Sequence, residues 1–329
     1  MKGIKQMKAN VLNKERIEGR IYEHNLSLKQ VQNEASDNYG KDFINGTLDI
    51  ATDDEGLNIV TVKFTYVPPV FAKSGKKNNT FDALKKIIES GKTILTDGFE
   101  EATIVRVDTA LGVNDFYTDR NGEETLVSAK MNNGGFVNIL GSASQLSPAE
   151  KRNVFEVDML ITGTQMVETD EEKNIKEDYL KVKGFVFDFR KSILPVEFVV
   201  KSKGGINYFE SLDASKSNPT FTKVWGNICS QTIVTKKEEE SAFGEPSVTE
   251  YTRTLREWVI TGTSRADAVY PIGDEEAGIT SEDVEKAMKE REIHLAEIKK
   301  NAEEYQAKKN AESSSDNATA SAKDGGFNF

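Results

Sequence analysis

The sequence contains a repeat that limits the folds open to it. Residues 73–84 read KSGKKNNTFDAL and residues 201–212 read KSKGGINYFESL, and the two segments align without a gap. Weaker matches, such as Ile17 with Ile161, follow in the same order on both sides. A spacing of roughly 130 residues is far longer than the unit of a solenoid, so we expect an internal duplication of a whole domain.

Composition indicates a water-soluble chain of about two domains. Of its 329 residues, 37% are hydrophobic and 29% are charged, which suits packed cores beneath a polar surface. The sequence has no apolar run of about 18 residues, and its basic N-terminus lacks the apolar segment of a secretory signal. The single cysteine, Cys229, excludes an internal disulfide framework and fits a reducing compartment, so we expect a cytoplasmic protein.

Negative charge is concentrated toward the C-terminus. The net charge is −11, and residues 274–329 hold 14 acids against eight lysines and arginines. An acidic total does not exclude nucleic acid as a ligand, because binding depends on a local basic stripe.

Alternating apolar and polar residues predict five strands in each copy, with a helix between the third and the fourth. In the first copy Thr80 is the predicted N-cap of the helix, and Val60, Val62, Phe64 and Tyr66 are predicted to face inward. The predicted strands there are 17–33, 43–50, 58–67, 103–113 and 125–140. In the second copy they are 154–167, 179–190, 193–201, 221–236 and 248–262, with the helix at 208–215.

This order of elements is that of the OB-fold, a five-stranded Greek-key barrel. We therefore predict a mainly β chain with two tandem OB-like barrels, at residues 1–147 and 148–272. An acidic helix at 273–310 and a disordered tail at 311–329 would follow. A β-sandwich, the rival fold, would need about seven strands in each unit and no internal helix.

The repeated segments carry basic loops between the third strand and the helix. Lys73, Lys76 and Lys77 lie in the first copy, and Lys201 and Lys203 lie in the second. Neighbouring glycines let the backbone approach a phosphate closely, and lysine neutralises its charge. The alternative is a solvated turn without a ligand, since loops are usually polar.

Lysines and phenylalanines also share one face of the second strand in the second copy. Ammonium groups can follow phosphates while aromatic rings stack on unpaired bases, so this face is a candidate for single-stranded DNA. The candidates there are Lys181, Lys183, Phe185, Phe187 and Phe189. In the first copy they are Phe43, Lys63 and Phe71. The alternative is that the strand is covered on both sides and the phenylalanines are core.

No catalytic or metal-binding pattern emerges from the sequence. His24, His294 and Cys229 lack the spacing of metal ligands, and no nucleophile and base form a recognisable set. Residues 90–93 end like a phosphate-binding loop, but the first glycine of that motif is replaced by Lys86. We therefore expect no enzyme, no metal and no cofactor.

The C-terminal region reads as a helix followed by a tether. Thr280 and Asp283 form a capping pattern that predicts a helix over residues 281–310. A low-complexity stretch follows and ends at Asp324, Phe327 and Phe329. Two aromatics at the end of a disordered tether suit a partner's pocket. A frayed terminus without a partner is the alternative.

OB-type modules, a polar linker and a short tip ending in phenylalanine together resemble bacteriophage-type single-stranded DNA-binding proteins. By that resemblance, Asp324, Phe327 and Phe329 would recruit replication, recombination and repair proteins. The tip departs from the family pattern because it holds one acid where such tips hold several. Two modules in one chain also depart from single-barrel versions.

The resemblance implies sequence-independent binding of single-stranded DNA, with RNA still open because no residue reports on 2′-hydroxyl contacts. The alternative is a structural protein of a virion or another assembly, built from duplicated β domains. An enzyme with an unrecognised site is the least expected class.

Overall fold

The chain is mainly β, with a long C-terminal helix. The computed structural model describes residues 11–120, 123–170, 175–239, 247–264, 268–269 and 280–320. The first half holds β1 (Asn13–His24), β2 (Ser27–Gln30), β3 (Asp42–Ala51), β4 (Ile59–Val67), α1 (Asn79–Ser90), α2 (Ile94–Asp97), β5 (Ile104–Arg120) and β6 (Glu123–Leu140). The second half holds β7 (Asn153–Val167), β8 (Tyr179–Phe187), β9 (Ile193–Val200), α3 (Lys203–Ser211), β10 (Thr220–Glu239), β11 (Ser247–Thr263), β12 (Ala268–Val269) and α4 (Ser281–Ala320).

In the first half, five strands pair edge to edge until the last meets the first. β1 pairs antiparallel with β3 and β5, β3 with β4, and β5 with β6. A short parallel contact between β4 and β6, at Val62 and Asn132, completes a ring of pairings. β2 extends the sheet beside β3.

The second half repeats this order of pairings. β7 pairs with β8 and β10, β8 with β9, and β10 with β11. The parallel contact between β9 and β11 is at Val199 and Val259. β1 and β7 run antiparallel from Asn13 to Ile17 and join the two halves. The predicted order of three strands, a helix and two strands is therefore present twice, with the short strand β2 and the short helix α2 added in the first half.

The strand pairings correct the detailed alignment of the two halves. A register shift follows Ile21 in β1 and Ile161 in β7, each opposite the next strand of its own half. The match of Ile17 with Ile161 is therefore wrong by four residues, and Ile21 is the structural counterpart. A strand alternates with a period of two, so a slip by an even number of residues preserves its apolar pattern.

The helices between the third and fourth strands close the core of each half. Phe81, Leu84 and Phe209 are buried, as their repeated positions predict. The N-cap of α1 is Asn78, because its side chain accepts a hydrogen bond from the Thr80 amide at 3.1 Å. Thr80 was the predicted cap, but it lies inside the helix.

Two other local predictions are wrong for reasons of hydrogen bonding. α3 begins at Lys203 and not at residue 208, because the Ser202 hydroxyl accepts a hydrogen bond from the Gly205 amide at 3.2 Å. β8 ends at Phe187 and not at residue 190. There the Asp188 carboxylate accepts a hydrogen bond from the Ser192 amide at 2.8 Å and holds a turn.

The inward prediction for Tyr66 is also wrong. A register shift between Ile44 and Gly46 interrupts the pairing of β3 with β4 near the end of β4. Alternation therefore breaks down after Phe64, which is buried, and the Tyr66 side chain is 42% exposed.

The C-terminal helix α4 packs against both halves. Its predicted cap is confirmed, since the Asp283 amide donates a hydrogen bond to the Thr280 hydroxyl at 3.2 Å. Ala287 packs with Phe187 and Ile193 of the second half. α4 extends to Ala320, ten residues past its predicted end. No helix within the described residues is both long and apolar enough to cross a membrane.

Candidate nucleic-acid interface

Aromatic rings and lysines form a row across β2, β3 and β4 in the first half. Lys29 is exposed and pairs across the strands with Phe43. The Phe43 ring meets the Tyr66 ring with centroids 5.0 Å apart. Phe71, in the loop after β4, is 41% exposed. Exposed rings of this kind can stack on unpaired bases.

Lysines continue this row along β4 and into the loop. Lys63, Lys73 and Lys76 are exposed, and none of the three has an ion pair within the described part of the chain. Lys77 differs, because Asp82 lies 2.7 Å from its ammonium group. A cation without an acidic partner remains available to a phosphate.

We call this surface the aromatic–lysine face. Its residues are Lys29, Phe43, Lys63, Tyr66, Phe71, Lys73 and Lys76. The sequence indicated five of them and missed Lys29 and Tyr66. Lys29 lies on β2, which the sequence prediction merged with β1 into one strand over residues 17–33. Tyr66 was assigned to the core by simple alternation.

In the second half, acids neutralise three of the lysines that the sequence predicts as phosphate contacts. Glu197 lies 2.9 Å from the Lys181 ammonium group and 3.9 Å from that of Lys183. Lys201 is 3.0 Å from Glu257 and 3.6 Å from Glu177. These four cation–carboxylate contacts leave the second half less able than the first to attract a phosphate.

Lys203 is exposed at the start of α3, whereas Lys73 and Lys76 lie in a loop before α1. The two basic segments therefore have similar sequences but different backbone structures. The shared pattern does not place its lysines at equivalent positions.

The three phenylalanines predicted on β8 have different surroundings. Phe187 is completely buried, and Phe185 packs beside it against α4. Phe189 lies beyond the end of β8, is 88% exposed, and has the Arg190 guanidinium 5.2 Å from its ring centre. The structure thus makes Phe187 a core residue and leaves only Phe189 fully accessible.

An ion pair joins α4 to the first half of the chain. The Arg291 guanidinium lies 2.7 Å from the Asp115 carboxylate, and both side chains are largely buried. Arg291 also donates a hydrogen bond to the Ser128 hydroxyl at 3.2 Å. Because Asp115 and Ser128 belong to β5 and β6, α4 connects the first half with the covered face of the second.

A cleft between the two halves adjoins the aromatic–lysine face at Lys63. We call it the inter-ring cleft, and its volume is about 270 Å³. The first half contributes Thr61, Lys63, Lys130 and Asn132, and the second half contributes Cys229 and Ser230 from β10 and Arg256 and Trp258 from β11. Among these residues, only Lys63 was a binding candidate from the sequence. The sequence does show that Arg256 and Trp258 are two residues apart, as are Lys130 and Asn132. That spacing places each pair on one face of a strand.

Lys130 is the most buried cation of the cleft. Its ammonium group lies 4.8 Å from the centre of the Trp258 ring and donates a hydrogen bond to the Glu197 carbonyl. Burial lowers the pKa of Lys130 to about 8, although Glu197 and Glu257 oppose the shift. An anion beside this group would favour its charged form.

A buried carboxyl group supports the floor of the cleft. The Trp258 indole N–H donates a hydrogen bond to Glu15 Oε1 at 2.9 Å. Burial raises the pKa of Glu15 to about 8, and the bond from Trp258 lowers it by less. Glu15 is therefore mostly protonated at neutral pH, which avoids a buried negative charge next to the cleft.

The predicted partner-binding tip, Asp324, Phe327 and Phe329, lies outside the described residues. Among the described residues, no cluster of histidine, cysteine or carboxylate side chains could hold a metal ion.

Comparison with known proteins gives a family and distant structural likenesses. Residues 12–301 match the family YorF, so the chain belongs to that family. No curated protein matches the sequence. The wild-type single-stranded DNA-binding protein from Thermus aquaticus aligns with 11% identity and a TM-score of 0.43, over 82% of this chain and 100% of that one. A deletion variant of the same protein gives 11% identity and a TM-score of 0.44, over 81% and 98%. Both TM-scores are too low to equate the folds.

Proposed function

We propose that this YorF-family protein binds single-stranded DNA without sequence preference and is not an enzyme. The strand would lie along the aromatic–lysine face of the first half. Bases would stack on Phe43, Tyr66 and Phe71, while Lys63, Lys73 and Lys76 would contact phosphates.

One observation carries the proposal: three lysines without ion pairs among the described residues lie with the exposed rings of Tyr66 and Phe71 and the half-buried ring of Phe43 on one open sheet face and its adjoining loop. This occurs in a chain with a net charge of −11, so the local surplus of cations needs a reason. Single-stranded nucleic acid requires this combination, since its backbone is anionic and every base has a π-face.

The first test is fluorescence anisotropy of a labelled oligo-dT strand at two salt concentrations, with a duplex of equal length as the control. We expect preferential binding to the single strand and a clear loss of affinity as salt rises. Each phosphate contact to a single strand contributes a slope of about 0.7 in log affinity against log salt. Failure to bind oligo-dT at micromolar protein in low salt would refute the proposal.

Variants then locate the path of the strand. Changing Lys63, Lys73 and Lys76 together to glutamate should lower the salt slope by about 2, because three phosphate contacts are lost. Phe71→Ala should weaken binding about 5- to 160-fold, the range expected for the loss of about 1–3 kcal/mol from one stacked base. Lys216→Glu, at an exposed position of the second half, is the matched control and should change affinity little.

Phe189→Ala tests the second half separately. If the strand follows the aromatic–lysine face alone, this variant should bind like the wild type. If Phe189→Ala weakens binding while Phe71→Ala does not, the DNA path lies in the second half and our placement is wrong.

We further propose that each ring of five strands is an OB-type module and that the two arose by duplication. A phage-type role in replication, recombination and repair, inside the cytoplasm, accords with binding of a single strand. The tip formed by Asp324, Phe327 and Phe329 would then recruit partner proteins. Removing the last six residues should leave oligo-dT affinity nearly unchanged but abolish capture of replication proteins from host extract.

A further inference from the structure

We propose that the inter-ring cleft binds one nucleotide, with its phosphate among Lys63, Lys130 and Arg256 and its base toward Asn132. The inference rests on the proposed function, because the cleft opens onto the aromatic–lysine face at Lys63. It adds a discrete site for a single unit of the strand.

The charge of the cleft favours an anion. Lys63 and Arg256 are exposed at its rim, and Lys130 lies deeper, over the Trp258 ring. No acidic side chain occurs among the described residues that line it. The Thr61 hydroxyl accepts a hydrogen bond from the Arg256 guanidinium at 3.4 Å, and the other donors of that group have no partner among the described residues.

An unpartnered buried atom indicates that the ligand also carries a hydrogen-bond donor. Asn132 is 5% exposed and lines the cleft. Its amide nitrogen donates to the Thr61 carbonyl at 2.8 Å, but its Oδ1 accepts no hydrogen bond within the described structure. A buried acceptor without a partner is unfavourable. The N–H groups of a base would supply the missing donor.

The size and walls of the cleft are consistent with one nucleotide. A volume of about 270 Å³ lies just below the range of about 300–1,000 Å³ typical of small-molecule pockets. Ile59, Met131 and Trp258 add apolar surface to the lining of the cleft. A phosphate alone would use the cations but leave Asn132 Oδ1 without a donor.

The single cysteine of the chain gives a direct assay, because Cys229 lines the cleft and is half-buried. The rate of its alkylation by iodoacetamide would be measured alone, with oligo-dT, with thymidine monophosphate and with inorganic phosphate. At about 100 times its Kd, a ligand leaves about 1% of the site free, so protection should approach about 100-fold.

Protection by oligo-dT supports the proposal, and protection by thymidine monophosphate shows that the free nucleotide binds too. Equal protection by phosphate at the same concentration would overturn it in favour of a simple anion site. The nucleotide site would also be refuted if anisotropy shows that oligo-dT binds while the alkylation rate of Cys229 stays unchanged. That result would leave the proposed function intact. If oligo-dT does not bind at all and thymidine monophosphate does not protect, both proposals fail.

Arg256→Met separates nucleotide binding from simple steric shielding of the thiol. Arg256 is exposed, so we expect the variant to fold. Loss of a charge-assisted contact should raise the concentration of nucleotide needed for protection about 10- to 100-fold. Lys216→Met is the matched control, and its Cys229 should be protected at the same nucleotide concentration as in the wild type.

The cleft should also bind less well at alkaline pH. The charged groups around Lys130 are Glu197 of β9, Glu257 of β11 and Lys181 of β8. Because a bound anion favours protonated Lys130, affinity should fall as pH rises through about 8. Lys130→Met should remove this dependence, and an unchanged pH profile in that variant would contradict the assignment of Lys130.

Discussion

Replacing Glu15 with glutamine should remove a pH-dependent loss of stability. Glu15 is 3% exposed, lies where the two halves meet, and accepts its hydrogen bond from Trp258. Burial raises its pKa from 4.5 to about 8. Glutamine keeps an oxygen acceptor for the indole N–H and cannot ionise.

The sign follows from proton binding. Between pH 4.5 and about 8, the folded chain holds a proton on Glu15 that the unfolded chain has lost. The free energy of unfolding therefore falls as pH rises, by about 1.4 kcal/mol for each pH unit. In Glu15→Gln this contribution is absent. The variant should gain about 3 kcal/mol relative to the wild type between about pH 5.5 and about pH 7.5. Above about pH 8 the gain should level off.

Urea unfolding followed by circular dichroism at closely spaced pH values measures this difference. Other titrating groups cancel, because they are common to both proteins. Glu23→Gln, at an exposed position of the same strand, is the control and should show no comparable trend. A free-energy difference between Glu15→Gln and the wild type that stays constant over this pH range would refute the reasoning.

Three further substitutions test the packing. Asp115→Asn leaves the largely buried Arg291 without its carboxylate. Breaking such a pair costs about 3–5 kcal/mol, so α4 should detach and its amides should exchange hydrogen faster than those of the strands. Gly184→Ala would place a Cβ 2.1 Å from the Leu160 carbonyl oxygen. The two strands would have to separate, which should lower stability in urea by at least about 1–3 kcal/mol. Asn78→Ala removes the cap of α1 and should cost about 1 kcal/mol in the same assay.

The order of the elements could be predicted because the information is local. Alternation at Leu48 and Val62 reports that one face of a strand is buried, without knowledge of its neighbours. Apolar spacing around Phe81 and Phe209 likewise identified the two helices that close the cores. The exact ends of the helices and strands depended on single hydrogen bonds. The Ser202 cap of α3 is one example, and the glycines that follow it made the start of that helix hard to recognise in the sequence.

The charges of the candidate site could not be predicted in this way. Lys181 and Lys63 are similar in the sequence, yet within the described structure only the Lys181 ammonium group has a carboxylate partner, Glu197 at 2.9 Å. Whether a lysine is neutralised depends on which acid the neighbouring strand brings opposite to it, and pairing register decides that. The open face in the first half and the neutralised face in the second half follow from this difference.

A mainly β chain with one strand order present twice thus follows from local sequence signals, because periodicity and turn residues act over a few positions. Only the tertiary structure brought Glu15 to Trp258, which is 243 residues away. It also placed α4 over Phe187 and assembled the inter-ring cleft from two halves. Such contacts join segments that share no local pattern, and the free energy of packing the halves together selects them.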